Sequence, residues 1–237
     1  MRVAVLMPTF NEKGRLTSSL NSLRAVTSSA LRLHVFLVDD GSTLPCVLAP
    51  QVTGPDFAIS LARHLVNLGQ GAALETARQL ALLDSEGFDA FVTMDSDGQH
   101  SPSDLPTLLD AIRGGADAVF GNRFAGESNP PFGRRLILRA AALFERVSTG
   151  LAVTDAHNGY RAFSKAGIES IALTQDRMAH ATEIKQQVSR AKKLKVTEVP
   201  VSIVYSDDTL AKGQSSIGAL QIIKDLLYQF IFASRNS

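Results

Sequence analysis

Short apolar runs that stop at polar or charged residues alternate with stretches of helical spacing along most of this chain. Val3 to Met7 is continuously apolar, as expected of a parallel strand covered on both faces, and Pro8 closes it. Leu16, Leu20 and Leu23 then fall at helical spacing, with Ser and Thr on the other side. Leu33 to Val38 predicts a second strand, Phe57 to Leu61 a shorter third, and Ala72 to about Leu83 a second helix. Phe88 to Met94 reads as a central buried strand. A helix is expected after Ser101, with Ser101 as N-cap, Pro102 in the first turn and Asp104 completing a capping-box-like pattern. Ala116 to Gly121 predicts a further strand, Met178 to Ala191 a helix and Val196 to Ile203 a late strand. Two more helices are expected: Arg134 to about Thr149, with a basic side, and Ile217 to Phe232, with a broad apolar stripe.

Strands alternating with helices predict a mainly parallel sheet with helices on both faces, and such sheets bind ligands outside the carboxyl ends of their strands. Three successive strand ends deliver carboxylates: Glu12, then Asp39 and Asp40, then Asp95 and Asp97. Together they would line one acidic crevice. An extended backbone would set Asp95 and Asp97 on one face, where they could converge on a hard cation. Oxygen ligands suit Mg²⁺ or Mn²⁺, and Mg²⁺ usually completes its shell with water and substrate phosphate. Gln99 adds a neutral oxygen, and the Glu that closes an EF-hand loop is lacking. Asn67 to Gly71 fits neither Gly-x-Gly-x-x-Gly nor the phosphate-loop pattern, and reads as a tight turn before a helix. Asp155 to Phe163 packs polar and aromatic residues more densely than a plain connector does.

Composition narrows the class. The chain has 237 residues, 45% hydrophobic and 20% charged, which suits one large α/β domain with a real core. A net charge of +1 argues against a nucleic-acid partner. Cys46 is the only cysteine, so no disulfide framework or thiolate metal cluster is expected, in keeping with a reducing, cytoplasmic setting. The first apolar run is too short for a signal peptide, and no stretch reaches the roughly 18 to 20 apolar residues that span a bilayer.

Six segments occur in a telling order: Pro8-Thr9-Phe10-Asn11-Glu12; Val38-Asp39-Asp40-Gly41-Ser42; Asn67-x-Gly-x-Gly; Met94-Asp95-Ser96-Asp97-Gly98-Gln99-His100; Gly121-Asn122-Arg123-Phe124; and Asn158-Gly159-Tyr160-Arg161-Ala162-Phe163. Over about residues 2 to 215 the chain resembles family 2 glycosyltransferases of the GT-A fold, above all their dolichyl- and polyprenyl-phosphate mannosyl- and glucosyltransferase branch. The resemblance implies a Rossmann-like GT-A domain over 1–216; the apolar stripe beyond it reads as a C-terminal amphipathic helix over 217–237, either packed on the core or turned to a membrane or a partner. The resemblance further implies inverting transfer of a hexose from a GDP- or UDP-linked donor to polyprenyl phosphate, with Mg²⁺ or Mn²⁺, at the inner face of the plasma membrane.

Carried over residue by residue, Pro8, Phe10, Glu12 and Asp40 would line the base and ribose pocket, with Thr9, Asp39, Gly69 and Ser96 also on the donor side. Asp95 would sit near the donor and join Asp97 and Gln99 in holding the metal on the diphosphate. Arg123 would meet the diphosphate or the acceptor phosphate, Glu183 would follow the acceptor segment, and Lys212 would close over the diphosphate. A lipid phosphate is already an anion near neutral pH and needs little base. A sugar hydroxyl acceptor, in polysaccharide or glycolipid synthesis, would need a carboxylate, with Asp155 or Glu183 the candidates. A non-catalytic nucleotide-sugar-binding scaffold is the different-class alternative. A sugar-nucleotide pyrophosphorylase is disfavoured, because Pro8 to Glu12 is not a Gly-rich loop with Arg and Lys.

Two departures from the branch stand out. Its members often continue into transmembrane helices, whereas here membrane contact would fall to the 134–149 helix, the C-terminal helix or a small membrane partner. The tail reads Lys212-Gly213-Gln214-Ser215-Ser216 where the branch commonly shows an Arg-containing Gly-x-Ser-Lys pattern.

Overall fold

The computed structural model describes residues 1–12, 14–48, 53–125, 150–151, 153–155, 158–175 and 179–204. The helices expected at 134–149 and 217–232, Lys212 and the boundary at 216 lie outside the described residues. The apolar runs become strands β1 (Arg2–Thr9), β2 (Arg32–Asp39), β3 (Phe57–Arg63), β4 (Ala90–Thr93) and β5 (Ala118–Asn122), followed by β6 (Arg161–Phe163) and β7 (Val196–Pro200). Between them lie α1 (Arg15–Ala25), α2 (Gln70–Leu82), α3 (Leu105–Arg113), α4 (Lys165–Glu169) and α5 (Ala179–Arg190).

One seven-stranded sheet results, in the order β3-β2-β1-β4-β6-β5-β7. Every pairing is parallel except those of β6, which runs antiparallel to β4 and β5. The mainly parallel α/β sheet expected from the alternation is therefore present. Val3 to Met7 at its centre have 0% exposure, as a strand covered on both faces requires.

The period-two alternation of strand side chains divides the core. Val3, Val5, Met7, Val35 and Val92 pack with Leu16, Leu20 and Leu23 of α1 and with Leu105, Leu108 and Leu109 of α3. Ala4, Leu6, Phe36, Phe91 and Phe163 face the other way, against Ala73, Leu74 and Ala77 of α2 and Ile184 and Val188 of α5. Each fully buried large apolar side chain is worth about 1.5–3 kcal/mol, so this two-sided core fixes where the strand ends lie.

Three local expectations are corrected. The capping box at 101–104 is not formed: Ser101 Oγ pairs with Ser103 Oγ, and Asp104 accepts the Ser202 amide. A short 3₁₀ turn, Pro102–Asp104, precedes α3 instead. The backbone does not stay extended to Asp97, because β4 ends at Thr93 and the chain turns at Ser96 to Gly98, with Gly98 at φ +77°. Finally, the segment after Asn158 ends in strand β6, and α4 follows it; neither was legible as an element.

Candidate active site

The carboxyl ends of β1 and β2 are tied to each other by the polar residues that end them. Asn11, at φ +55°, donates its amide to Ser42 Oγ, and its Oδ1 accepts the Thr43 amide. Asn tolerates this left-handed backbone better than most residues. Gly41 is required twice over: its φ is +72°, and a Cβ there would lie 2.5 Å from the Val66 carbonyl carbon.

Asp39, the last residue of β2, and Asp40, just beyond it, point to opposite sides and do different work. Asp39, at 0% exposure, turns away from the crevice: Oδ1 accepts the Ser42 amide and Oδ2 the Cys46 amide, with Arg63 Nε at 3.5 Å. Asp40 Oδ1 accepts the Leu68 amide and faces His64 Nδ1 at 2.7 Å; Oδ2 accepts the Gly69 amide and Asn67 Nδ2. His64 Nε2 in turn meets Thr76 Oγ1 on α2. The Asn67-Leu68-Gly69 turn is thus moulded on one carboxylate and delivers the start of α2 to the crevice. Gly71 completes the packing, since a Cβ there would come 2.1 Å from Gln175 O.

The Asp95 to His100 turn closes on itself. Asp97 Oδ1 accepts the Gln99 amide, and His100 Nδ1 accepts the Asp95 amide at 3.2 Å. The His100 ring is buried and stacks on Tyr160 with centroids 5.0 Å apart. Burial lowers the His100 pKa, and Arg123 and Arg161 lower it further against the pull of Asp95 and Asp97. The ring is therefore neutral, with its proton on Nε2, which lies 3.7 Å from Asp95 Oδ2. Gln70 Nε2 donates to Asp95 Oδ1 at 2.8 Å. On the other side Thr93 Oγ1 holds the Gly159 carbonyl, keeping that glycine flat against Asp95.

A cleft of about 490 Å³ opens between these loops. Pro8, Thr9, Phe10 and Glu12 supply one wall, Asp40, Asn67, Gly69 and Gln70 a second, and Asp95, Ser96 and Asp97 the third. The sequence candidates Pro8, Thr9, Phe10, Glu12, Asp40, Gly69, Asp95, Ser96 and Asp97 are brought together here. Asp39 does not line the cleft, and neither does Gln99, whose backbone is held by Asp97 and by the Val204 amide.

Arg123, Asp155 and Glu183 also stand off the cleft wall. Asp155, 1% exposed, uses Oδ2 to accept the Arg123 amide, Arg123 Nε and Asn158 Nδ2. Its Oδ1 has no hydrogen-bond partner among the described residues. Glu183 accepts the Thr174 and Gln175 amides and the Thr174 hydroxyl, which anchors the segment packed on Gly71. Sequence reasoning missed Gln70, His100 and Gly159 as site residues. Each sat inside a recognised motif, and its contact is made across the fold.

The acidic wall suits a cation. Burial pushes the Asp97 carboxyl up, and the charges of Asp95 and Glu12 push the same way. A divalent ion would relieve that repulsion. Among the described residues no three His, Cys, Asp or Glu side chains gather to enclose an ion, so Asp95 and Asp97 would hold one face and leave the rest to water and phosphate oxygens. That donor set fits Mg²⁺ or Mn²⁺.

The model of glycosyl transferase family 2 matches residues 4–172. The chain belongs to that family. Among its sequence relatives is an undecaprenyl-phosphate mannosyltransferase of Micrococcus luteus, 31% identical over 218 residues that cover 86% of this chain and 84% of the relative. A polyprenol monophosphomannose synthase of Mycolicibacterium smegmatis is 31% identical over 181 residues, 73% of this chain and 65% of the relative. In fold the chain is similar to glucosyl-3-phosphoglycerate synthase of Mycobacterium tuberculosis, with a TM-score of 0.62 at 19% identity, covering 96% of this chain and 79% of that one. That structure contains Mn²⁺, UDP and glucosyl-3-phosphoglycerate. The family 2 transferase fold therefore carries the cleft, and the GT-A architecture expected from the motifs is present.

Proposed function

We propose that this family 2 glycosyltransferase moves a hexose, with inversion, from a GDP- or UDP-linked donor to polyprenyl phosphate. The observation that carries the reading is the Asp95–Asp97 turn, set by β4 into the wall of a nucleotide-sized cleft. Phe10, 44% exposed beside Pro8 and Thr9, offers an apolar wall for a base, and Glu12 offers a carboxylate for ribose hydroxyls. The positive N-terminal end of α2, at Gln70, favours an anion at the cleft. Mg²⁺ or Mn²⁺ held by Asp95 and Asp97, with Gln99 as a further oxygen, would stabilise the negative charge that develops on the leaving diphosphate. Arg123 and, in the tail, Lys212 supply the remaining cations for phosphate oxygens.

The use made of the nearby carboxylates supports a phosphate acceptor. Asp155 and Glu183 are engaged as anchors of Arg123 and of the Thr174–Gln175 segment, and a phosphate acceptor needs neither as a base. Two sequence relatives named for mannose transfer to polyprenyl carriers support the same acceptor class. No helix among the described residues is long and apolar enough to cross a membrane. Work at a lipid acceptor is proposed at the inner membrane face, through peripheral contact or a small membrane partner. The hydroxyl-acceptor reading has one observation in its favour: Asp155 Oδ1 has no hydrogen-bond partner among the described residues.

Calorimetric titration with UDP and with GDP, each with and without Mn²⁺, tests the donor side. Binding that strengthens at least about tenfold with metal is expected. Equal binding without metal removes the assignment of Asp95 and Asp97.

A further inference from the structure

Glu198 lies on β7, in a stretch whose sequence reads as an ordinary late strand, yet its carboxylate gathers donors from two other segments. Oε1 accepts the Thr154 amide at 2.7 Å and the Asp155 amide at 3.3 Å. Oε2 accepts the Thr154 hydroxyl at 2.8 Å and Asn122 Nδ2 at 3.4 Å. Asn122, at the end of β5, also donates to Thr154 Oγ1, and its Oδ1 accepts the Phe124 and Ala125 amides. One carboxylate therefore pins the 153–155 segment to the end of β5 and the middle of β7.

What that segment presents is Asp155. The carboxylate is turned inward, and Oδ2 holds Arg123 by its amide at 3.0 Å and by Nε at 2.7 Å. Two bonds to one oxygen fix both the root and the head of the arginine side chain. A guanidinium is a planar fork whose use in binding phosphate depends on its direction.

We infer that Glu198 is a positioning residue for Arg123, acting through Thr154 and Asp155. The inference rests on the reading of Arg123 as a phosphate-facing cation, but its first link does not depend on that reading. Glu198→Gln can keep one oxygen for the Thr154 and Asp155 amides but sets an NH₂ donor against Asn122 Nδ2 and the Thr154 hydroxyl, which lets the segment shift and takes the Asp155–Arg123 pair with it. Asp155 is thereby a holder of Arg123 as well as a carboxylate near the site.

The test uses Glu198→Gln and, as the milder change, Thr154→Val, each alone and combined with Arg123→Gln. The first readout is the Arg123 Nε–H resonance, assigned by its loss in Arg123→Gln, and its exchange with water. The second is the affinity for UDP and GDP with Mn²⁺. The expected result is a faster-exchanging Nε–H in both variants, with diphosphate affinity falling about tenfold in the Arg123 background and less than about twofold in the Arg123→Gln background. An Nε–H that keeps its protection in folded Glu198→Gln overturns the proposal. So does an equal affinity loss in both backgrounds, which marks Glu198 as a general clamp of β7. Faster exchange with unchanged affinity instead overturns the phosphate role of Arg123 while leaving the link to Asp155 standing. If Glu198→Gln does not fold, Thr154→Val carries the same comparison.

Discussion

Gly159 lies so close to the Asp95 carboxylate that a methyl group at position 159 would sit 2.6 Å from Oδ2. No unbonded carbon approaches an oxygen that closely, so Gly159→Ala must displace Asp95 or the backbone leading into β6. The Thr93 hydroxyl holds the Gly159 carbonyl, which makes the carboxylate the part that gives. Transfer activity should fall by about 10²-fold, the scale on which small misplacements in an active site act, while the thermal midpoint changes by only a few degrees. A variant with full activity would mean that Asp95 has no fixed place to lose.

His100 explains why the turn has a fixed place at all. Its neutral ring stacks on Tyr160 and accepts the Asp95 amide, so His100→Ala removes a packing partner and an acceptor together. A buried amide left without a partner costs about 1–3 kcal/mol. Urea unfolding should show a loss of that order. Unchanged stability would imply that the turn holds itself.

Asp97 should behave as a residue whose function works against stability. Burial raises its pKa, with Asp95 and Glu12 adding to the shift, so the folded chain holds this proton more tightly than the unfolded chain does. Stability then falls as pH rises from the unfolded carboxylate range through the folded value, so Asp97 weighs against stability in metal-free protein above that range. Asp97→Asn in chelator is expected to match or exceed the wild-type melting temperature while losing at least about 10²-fold in metal-dependent transfer. A melting temperature several degrees lower, or transfer that persists without metal, contradicts this.

Acid should unfold the protein through other carboxylates. Arg2 holds Asp84 below the usual range. Burial works against ionised Glu75 and Asp39, but for Glu75 the bonds from Arg78, Leu173 and Gln79, and for Asp39 those from Ser42 and Cys46, outweigh it. All three folded values are depressed, so their contribution is complete above the unfolded carboxylate pKa of about 4. It is lost as pH falls from there through the folded values. Chemical unfolding at stepped pH should show stability flat near neutrality and declining below about pH 4. Neutralising Asp84 by Asp84→Asn should reduce that decline.

The strands and their carboxylate ends were legible because each is a local pattern. Val3 to Met7 reads as buried from its own residues, and Asp95 and Asp97 follow directly on an apolar run. Asp39 and Asp40 show where such reading stops: the sequence offers two adjacent acids, and only the fold decides which one faces the cleft. Glu198 was invisible because its partners lie 44 and 76 positions away. Strand β6 escaped notice for a related reason. Its three residues, Arg161, Ala162 and Phe163, are too few to show a period, and only their neighbours β4 and β5 make them a strand.

The central claim is transfer of a sugar to a lipid phosphate. The most direct measurement is incubation of the full chain with Mn²⁺ or Mg²⁺, a panel of GDP- and UDP-sugars and a short-chain polyprenyl phosphate, with products identified by mass. A glycosyl-phosphoryl-polyprenol from one donor, absent when metal is chelated and absent in Asp97→Asn, is the expected result. Donor consumption with the sugar on a glycan hydroxyl and none on the lipid phosphate would contradict it.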